Sequence, residues 1–303
     1  MDSIDVVYCW ICGEHENVQR VMTSRGVHVP ADRCYSNDLL YHSIRLFVKH
    51  STHRGRIIIV SHSGVVPASI HRVCDRITVI DQDTILPAEY IPAFNNMIIE
   101  CFLHRIPGIS QPFLYMNDDY LMTGSFGMND LVGDGRINVY RNTTRMDAFL
   151  FSNPGGVWDR TMVYNAKLAN AHFHRPLSEM RMMQHMPYVL FPDTMERLCT
   201  TFHSDIHRMG VRHGPRSDED VIMVFLHQEW WLSHHPLRVR VRSLTRHTVP
   251  SYAFIEYGYD TIHEIAQTIA SNTVQFLTLS EGSASHHPVL QSMLESYVRQ
   301  ICE

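Results

Sequence analysis

The sequence predicts an α/β protein on a mostly parallel sheet, followed by a helical second half. Three observations predict it. Short β-branched runs alternate with helical segments through the first 120 residues, the pattern of βαβ units. Those runs are apolar almost throughout, which marks strands buried on both faces. The chain has 303 residues, 45% of them hydrophobic and 19% charged, enough to fill the core of one large domain.

The elements follow in order. IDVVYC reads as a strand, SNDLLYHSIRLFVKH as a helix capped by Ser36 and Asn37, and RIIIVSH as a second strand. PASIHRVCD predicts a short helix, with Pro67 where a first turn tolerates proline. RITVID is a strand, AFNNMIIECFLHRI a helix and QPFLYM a fourth strand. Residues 123–160 turn to Gly, Asn, Asp and Thr, which predicts loop or small-hairpin material, a flap over a site. Helices are expected over about 161–200, rich in Met and His, and over 217–233. A helical tail over 259–301 ends in the amphipathic HPVLQSMLESYVRQI. No repeat and no linker interrupts the chain, so residues 1–303 read as one domain. Its parts are an α/β core at 1–122, the loop or flap at 123–160 and a helical remainder at 161–303.

Composition narrows the function classes. The formal net charge of −5 lacks the basic footprint of a nucleic-acid binder. No run approaches the ~20 apolar residues of a membrane helix, and MDSIDVVY has no basic region ahead of an apolar one. A cytoplasmic protein is the expectation from these residues. Seven scattered cysteines suit reduced thiols. No GxxxxGK[ST] or GxGxxG occurs. The CWIC pair (Cys9, Cys12) has redox spacing, but Glu14 and Glu16 follow it, and acidic neighbours raise a thiol pKa. A four-ligand zinc site would need a second CxxC, and residues 36–120 hold none.

In open α/β sheets ligands sit beyond the carboxyl ends of strands. Here the first strand ends in CWICG, the third in DQD and the fourth in NDD. Asn117, Asp118 and Asp119 set an amide and two carboxylates at a strand end. Such a pair suits a hard cation such as Mg²⁺, while N-D-D equally suits a plain turn. Glu100 and His104, four apart, are expected on one helix face. His185 precedes an apolar segment with Pro187 behind it, and a histidine suits proton transfer, although twenty other histidines compete with it. Arg216 stands before an acidic helix start and can grip a phosphate bidentately.

Read together, these segments resemble the Stealth family of sugar-1-phosphate transferases, which includes bacterial capsule polymerases and the enzyme that places GlcNAc-1-phosphate on lysosomal glycoproteins. IDVVYCWICG is similar to the family's first region. The second region, Arg33 to Met122, is the strongest match, through SNDLLYHSIR and IPAFNNMIIECFLHRIPGISQPFLYMNDD. QHMPY, Arg216 and Asp220 resemble the third, and FLTLSE, more weakly, the fourth. Cys9, Cys12, Leu39, Ser280 and Glu281 depart from the family pattern, which makes CWICG a strand end and donor-site loop with two polar residues replaced by thiols.

The resemblance implies a nucleotide-sugar-binding, GT-A-like catalytic core. It implies transfer of a hexose-1-phosphate from a nucleotide-diphosphate sugar, UDP-linked by expectation, to a glycan or glycoprotein hydroxyl, with UMP leaving. Asp118 and Asp119 would hold Mg²⁺ or the donor, with Asn117 orienting them. His185 would serve as base and Arg216 as diphosphate clamp. Trp10, Asn95, Asn96, Glu100, His104 and Asp220 would line the substrate site. A glycosyltransferase releasing UDP, or a sugar-binding member without turnover, are the alternatives. The family holds cytosolic and Golgi-lumenal members, so an anchor upstream of the first strand would place the chain in the Golgi lumen. No feature sets an oligomeric state.

Overall fold

The computed structural model describes residues 3–11, 13, 15–24, 26, 38–125, 127–152, 155–256, 258, 260–280 and 288–302. Its centre is a five-stranded sheet in the order β3-β2-β1-β4-β9. Strands β1 (Val6–Trp10), β2 (Ile57–Ser61), β3 (Ile77–Asp81) and β4 (Phe113–Met116) run parallel, as the apolar runs predicted. The fifth, β9 (Tyr188–Leu190), lies antiparallel against β4. Val6, Val7, Ile57, Ile58, Ile59 and Val60 are all at 0% exposure, so β1 and β2 are covered on both faces.

Helix α1 spans Glu16–Ser24 and α2 spans Leu39–His50. Leu40, Ile44 and Phe47 of α2 recur at helical spacing and are buried, while Lys49 and His50 complement the dipole in the last turn. The expected caps Ser36 and Asn37 lie outside the described residues. Asp38 takes the N-cap position in the left-handed region (φ 55°) with no side-chain cap. PASIHRVCD contributes a 3-10 turn at Ile70–Arg72 instead of a helix.

The helix expected over AFNNMIIECFLHRI is shorter than predicted. Asn95 caps α3 (Asn96–Cys101) by accepting from the Met97 N–H at 3.1 Å. At Phe102 the backbone leaves helical geometry (φ −109°, ψ 9°), and Leu103–Arg105 forms a separate 3-10 turn.

After Met116 the chain leaves the central sheet. It turns through Asn117–Asp119 and enters β5 (Tyr120–Met122), a strand of another sheet. The 123–160 stretch folds as α4 (Met128–Leu131), a hairpin of β6 (Val132–Gly133) and β7 (Arg136–Arg145), then α5 (Met146–Phe151). The hairpin reading of that stretch is the one that stands, since β7 is a full sheet strand.

The expected helical remainder holds helices and strands together. Its helices are α6 (Val157–Phe173), α7 (Pro192–Thr201), α8 (His203–Val211), α9 (Met223–His234), α10 (Ile262–Ser271) and α11 (Pro288–Cys302). Its strands are β8 (Arg181–Met183), β9, β10 (Val239–Arg242), β11 (Tyr252–Glu256) and β12 (Phe276–Ser280). Strand β7 pairs with β6, β8 and β10 in a second sheet, and β11-β12-β5 form a third. Helix α9 buries every residue from Met223 to Glu229, which is why its sequence lacks an amphipathic stripe. Glu229 there meets Arg141 of β7 at 2.9 Å and Arg175 at 3.2 Å, tying helix to sheet.

Candidate functional site

The site grows from the ends of β1 and β4. In β4 all four residues are buried, and the next three are polar, so the strand ends where its apolar run ends. Tyr120 N–H donates to the Asn117 carbonyl at 3.3 Å, closing the turn. Beyond it the Leu279 N–H donates to the Asp119 carbonyl at 3.1 Å, which stitches the corner to β12. The N-D-D motif is thus a turn, and the turn brings Asn117 and Asp119 beside His185.

His185 sits in the bend between β8 and β9. Gln184 clamps that bend, its amide donating to the Leu244 carbonyl at 2.7 Å and accepting from the Leu244 N–H at 3.1 Å. The carbonyl of His185 itself accepts from Tyr252 OH at 3.2 Å and Thr278 Oγ1 at 2.9 Å. Asn117 Nδ2 lies 3.3 Å from His185 Nε2, and Asp119 Oδ2 lies 3.3 Å from His185 Nδ1. The Asp119 contact is close without hydrogen-bond alignment, so Nδ1 finds no bonded partner. Tyr120 meets the imidazole edge to face at 5.0 Å between ring centroids. His185 keeps 27% of its side-chain surface exposed, against 13% for Asp119.

Glu100 closes the other flank. Its Oε1 accepts from Tyr115 OH at 2.9 Å. Burial pushes its carboxyl above the usual range, and the Tyr115 hydroxyl, Arg216 and His185 pull it back. Arg216, exposed on the loop before α9, is thus near enough for its charge to act on Glu100. Cys9 belongs to this flank too. Burial raises its thiol well above the ordinary value, and Glu100 adds to the rise. A buried thiol held protonated is no redox nucleophile; Cys12, the other half of the pair, lies outside the described residues. Trp10 ends β1 opposite Ser61, at 8% exposure.

Several expected residues are placed otherwise. The shared face of Glu100 and His104 does not exist, because the helix breaks at Phe102 between them. His104 turns to the Cys101 carbonyl at 3.0 Å, and burial lowers its pKa. Asp220, at 0% exposure, has both oxygens occupied: Oδ1 by Arg212 at 2.7 Å, Oδ2 by Asn95 at 2.7 Å and by the Ser217 N–H at 2.9 Å. Asn95 and Asp220 form a buried brace between α3 and the Arg216 loop and have no free face for a ligand. Asn96 opens α3 half-buried. In the DQD end of β3, Asp81 accepts from the N–H groups of Ser63 and Asp83, both at 3.1 Å, as a local cap. Tyr115, Tyr120, Tyr252 and Thr278 were not singled out from sequence. The aromatic and β-branched run YAFIE is the signal that could have found β11, on which Tyr252 and Phe254 share a face.

Two oxygens bear on a metal. Asn117 Oδ1 and Asp119 Oδ1 are buried and have no hydrogen-bond partner. Orphaned hard oxygens beside Asp118 fit a cation such as Mg²⁺. Among the described residues no three His, Cys, Asp or Glu side chains gather around a metal position, so a bound ion would take most of its shell from water and substrate.

Residues 33–138 match the family described as Stealth protein CR2, conserved region 2. The capsular polysaccharide phosphotransferase cps1A of Actinobacillus pleuropneumoniae is 31% identical over 126 residues, covering 39% of this chain and 35% of that protein. The capsular polysaccharide phosphotransferase SacB of Neisseria meningitidis serogroup A is 32% identical over 126 residues, covering 40% and 23%. The match thus spans about a third or less of these curated relatives. Among solved structures, the galactosyltransferase LgtC with donor and acceptor sugar analogs aligns at TM-score 0.46 and 10% identity, covering 99% of this chain and 95% of that one. Mouse xyloside xylosyltransferase 1 aligns at TM-score 0.42 and 11% identity, covering 93% and 98%.

Proposed function

We propose, for a chain that belongs to the Stealth family through its conserved region 2 at residues 33–138, transfer of a hexose-1-phosphate from a nucleotide-diphosphate sugar to a glycan hydroxyl. The observation that supports this most is the approach of Asn117 and Asp119, both from the N-D-D turn, to the two ring nitrogens of His185, each at 3.3 Å. The curated relatives bear the name capsular polysaccharide phosphotransferase, which agrees with phosphoryl transfer.

The chemistry divides among the residues as follows. Nε2 of His185 accepts the proton of the acceptor hydroxyl, whose oxygen bonds to the sugar-side phosphorus. The bond from that phosphorus to the nucleotide breaks, and a nucleoside monophosphate, UMP for a UDP-sugar, leaves. Asn117, donating across 3.3 Å, keeps the lone pair on Nε2 and the proton on Nδ1, facing Asp119. That bond is long, so a substrate hydroxyl can replace it. Arg216 offers a planar cation to the diphosphate. Asp118 and Asp119 are the residues that would hold Mg²⁺, which when bound would neutralise charge on the phosphates. Positioning and charge neutralisation are most of what such a reaction needs.

The test is the leaving nucleotide. With Mg²⁺ and a panel of UDP-, GDP- and CMP-sugars, chromatography should find the monophosphate, UMP from a UDP-sugar, released in step with acceptor modification. UDP release would replace this reading with plain glycosyl transfer. Donor binding by thermal shift without release of either nucleotide would replace it with a non-catalytic role.

A further inference from the structure

We infer that Phe254 is the platform on which the ring of the acceptor sugar rests beside His185. The third sheet carries the argument. Phe254 of β11 pairs in register with Thr278 of β12, and Thr278 pairs with Tyr120 of β5. Registered neighbours share a face of a sheet, so these three side chains form one row. All three reach His185. Thr278 bonds its carbonyl at 2.9 Å, and the rings of Tyr120 and Phe254 stand 5.0 and 6.1 Å from the imidazole. Tyr252, on the same face of β11, bonds that carbonyl as well.

The row is buried at one end and open at the other. Tyr120 and Thr278 are at 0% exposure, whereas Phe254 leaves 50% of its surface to solvent. The buried members hold His185 in place. Holding it does not require an open phenyl ring, and the exposed half of that ring is apolar surface that a ligand's apolar face can cover. Glu256, two residues on and exposed on the same face, adds a carboxylate next to the ring.

The occupant this chemistry fits is a pyranose. A sugar ring has an apolar C–H face that an aromatic ring covers, and a rim of hydroxyls that a carboxylate such as Glu256 binds. It is the acceptor's ring because Phe254 and the proposed diphosphate clamp come from different elements: Arg216 from the loop before α9, Phe254 from β11. A hydroxyl of a sugar seated on Phe254 lies beside the imidazole proposed to deprotonate it, so the inference rests on the reading of His185 as base.

Saturation-transfer NMR on the full chain, with methyl glycosides of glucose, galactose, mannose and N-acetylglucosamine, tests it without turnover. At least one glycoside should receive magnetisation at its ring C–H protons. Phe254→Ala should abolish the transfer, Phe254→Tyr should keep it, and His185→Ala should leave it intact. Half exposure of the ring predicts a melting temperature for Phe254→Ala close to the parent, and Phe254→Ser offers a second truncation. In the acceptor assay, Phe254→Ala should raise acceptor KM about tenfold with kcat and donor Kd within about twofold. No transfer to any glycoside in the parent chain, or undiminished transfer in both truncations, would overturn the platform. If no donor yields a nucleotide while Phe254 still governs glycoside binding, the proposed reaction fails and the sugar site stands.

Discussion

The amide nitrogen of Asn117 and the Nε2 atom of His185 stand 3.3 Å apart, although 68 residues separate them in sequence. Asp119, two residues beyond Asn117, reaches the opposite ring nitrogen. One turn thus bonds one nitrogen of the imidazole and sets a carboxylate beside the other.

His185→Ala should therefore lose turnover about 10²–10⁴-fold, the usual contribution of a general base. That corresponds to about 3 to 5 kcal/mol of transition-state stabilisation. Donor Kd should change little, because the proposed reaction assigns donor binding to Arg216 and the carboxylates. His185→Gln should be equally inactive. Near-normal turnover in either variant, measured with donor Kd by calorimetry, would leave His185 a packing residue.

The two carboxylates should separate in their effects. Asp119→Asn removes the negative charge that faces Nδ1, so turnover should fall by at least about tenfold. Asp118→Asn should act through Mg²⁺-dependent donor binding, raising donor Kd with less effect once donor saturates. Both variants should fold, since a strand-end turn adds little to the core. Titration of donor with and without Mg²⁺ distinguishes them, and full activity in both would place the site elsewhere.

Stability should fall in mild acid because of His227. This residue is at 1% exposure, accepts from the Phe191 N–H at 2.9 Å and is pushed by burial down to about 3. The unfolded chain binds its proton near 6.5 while the folded chain does not. The stabilisation is therefore complete above pH 6.5 and declines as pH falls towards 3, by about 1.4 kcal/mol per unit at most. His227→Gln keeps an acceptor for Phe191 and removes the titration. Its melting temperature against pH should be flatter than the parent's between pH 6.5 and 3, and parallel curves would show that other groups dominate.

Cys9 should be silent towards thiol reagents in the native protein. It is at 3% exposure in β1 and its thiol is held protonated. Cys9→Ser with Cys12→Ser should keep activity in reducing and oxidising buffers alike. The variant should lose about 1 to 3 kcal/mol of stability for the buried hydroxyl. Mass spectrometry after alkylation reads the reactivity. A reversible disulfide between these positions that switches turnover would contradict the assignment.

The parallel strands were legible because runs such as Ile57–Val60 are apolar at every position, and only a strand covered on both faces uses such a run. Asn117, Asp119 and His185 were each legible as residues that chemistry uses. Their meeting was not, because it depends on β9 pairing with β4 across 70-odd positions and on Gln184 pinning a bend. Glu100 and His104 failed as a pair because spacing implies a shared face only while the helix continues, and Phe102 leaves it. Asp220 was expected in the substrate site only because the family resemblance implied it. Its buried bonds to Arg212 and Asn95 are three-dimensional facts with no local signature. Strands β8 and β9 went unseen because each is three residues long, too short for alternation to register.

The crossing at Asn117–Asp119, where one sheet hands the chain to another, separates the genetic address of the two sides of the site. The N-D-D turn is encoded before residue 120, His185 and Arg216 lie further along, and the Phe254 side returns from residues 252–280 to pair with β5. Mutation or recombination can then rewrite β11 and β12 while the parallel strands stay as they are. A chimera that exchanges residues 252–280 for those of a relative should keep its preference among donors and inherit a new preference among acceptors. On the proposed reading, the acceptor repertoire of such a lineage is free to diversify on an unchanged donor-handling core.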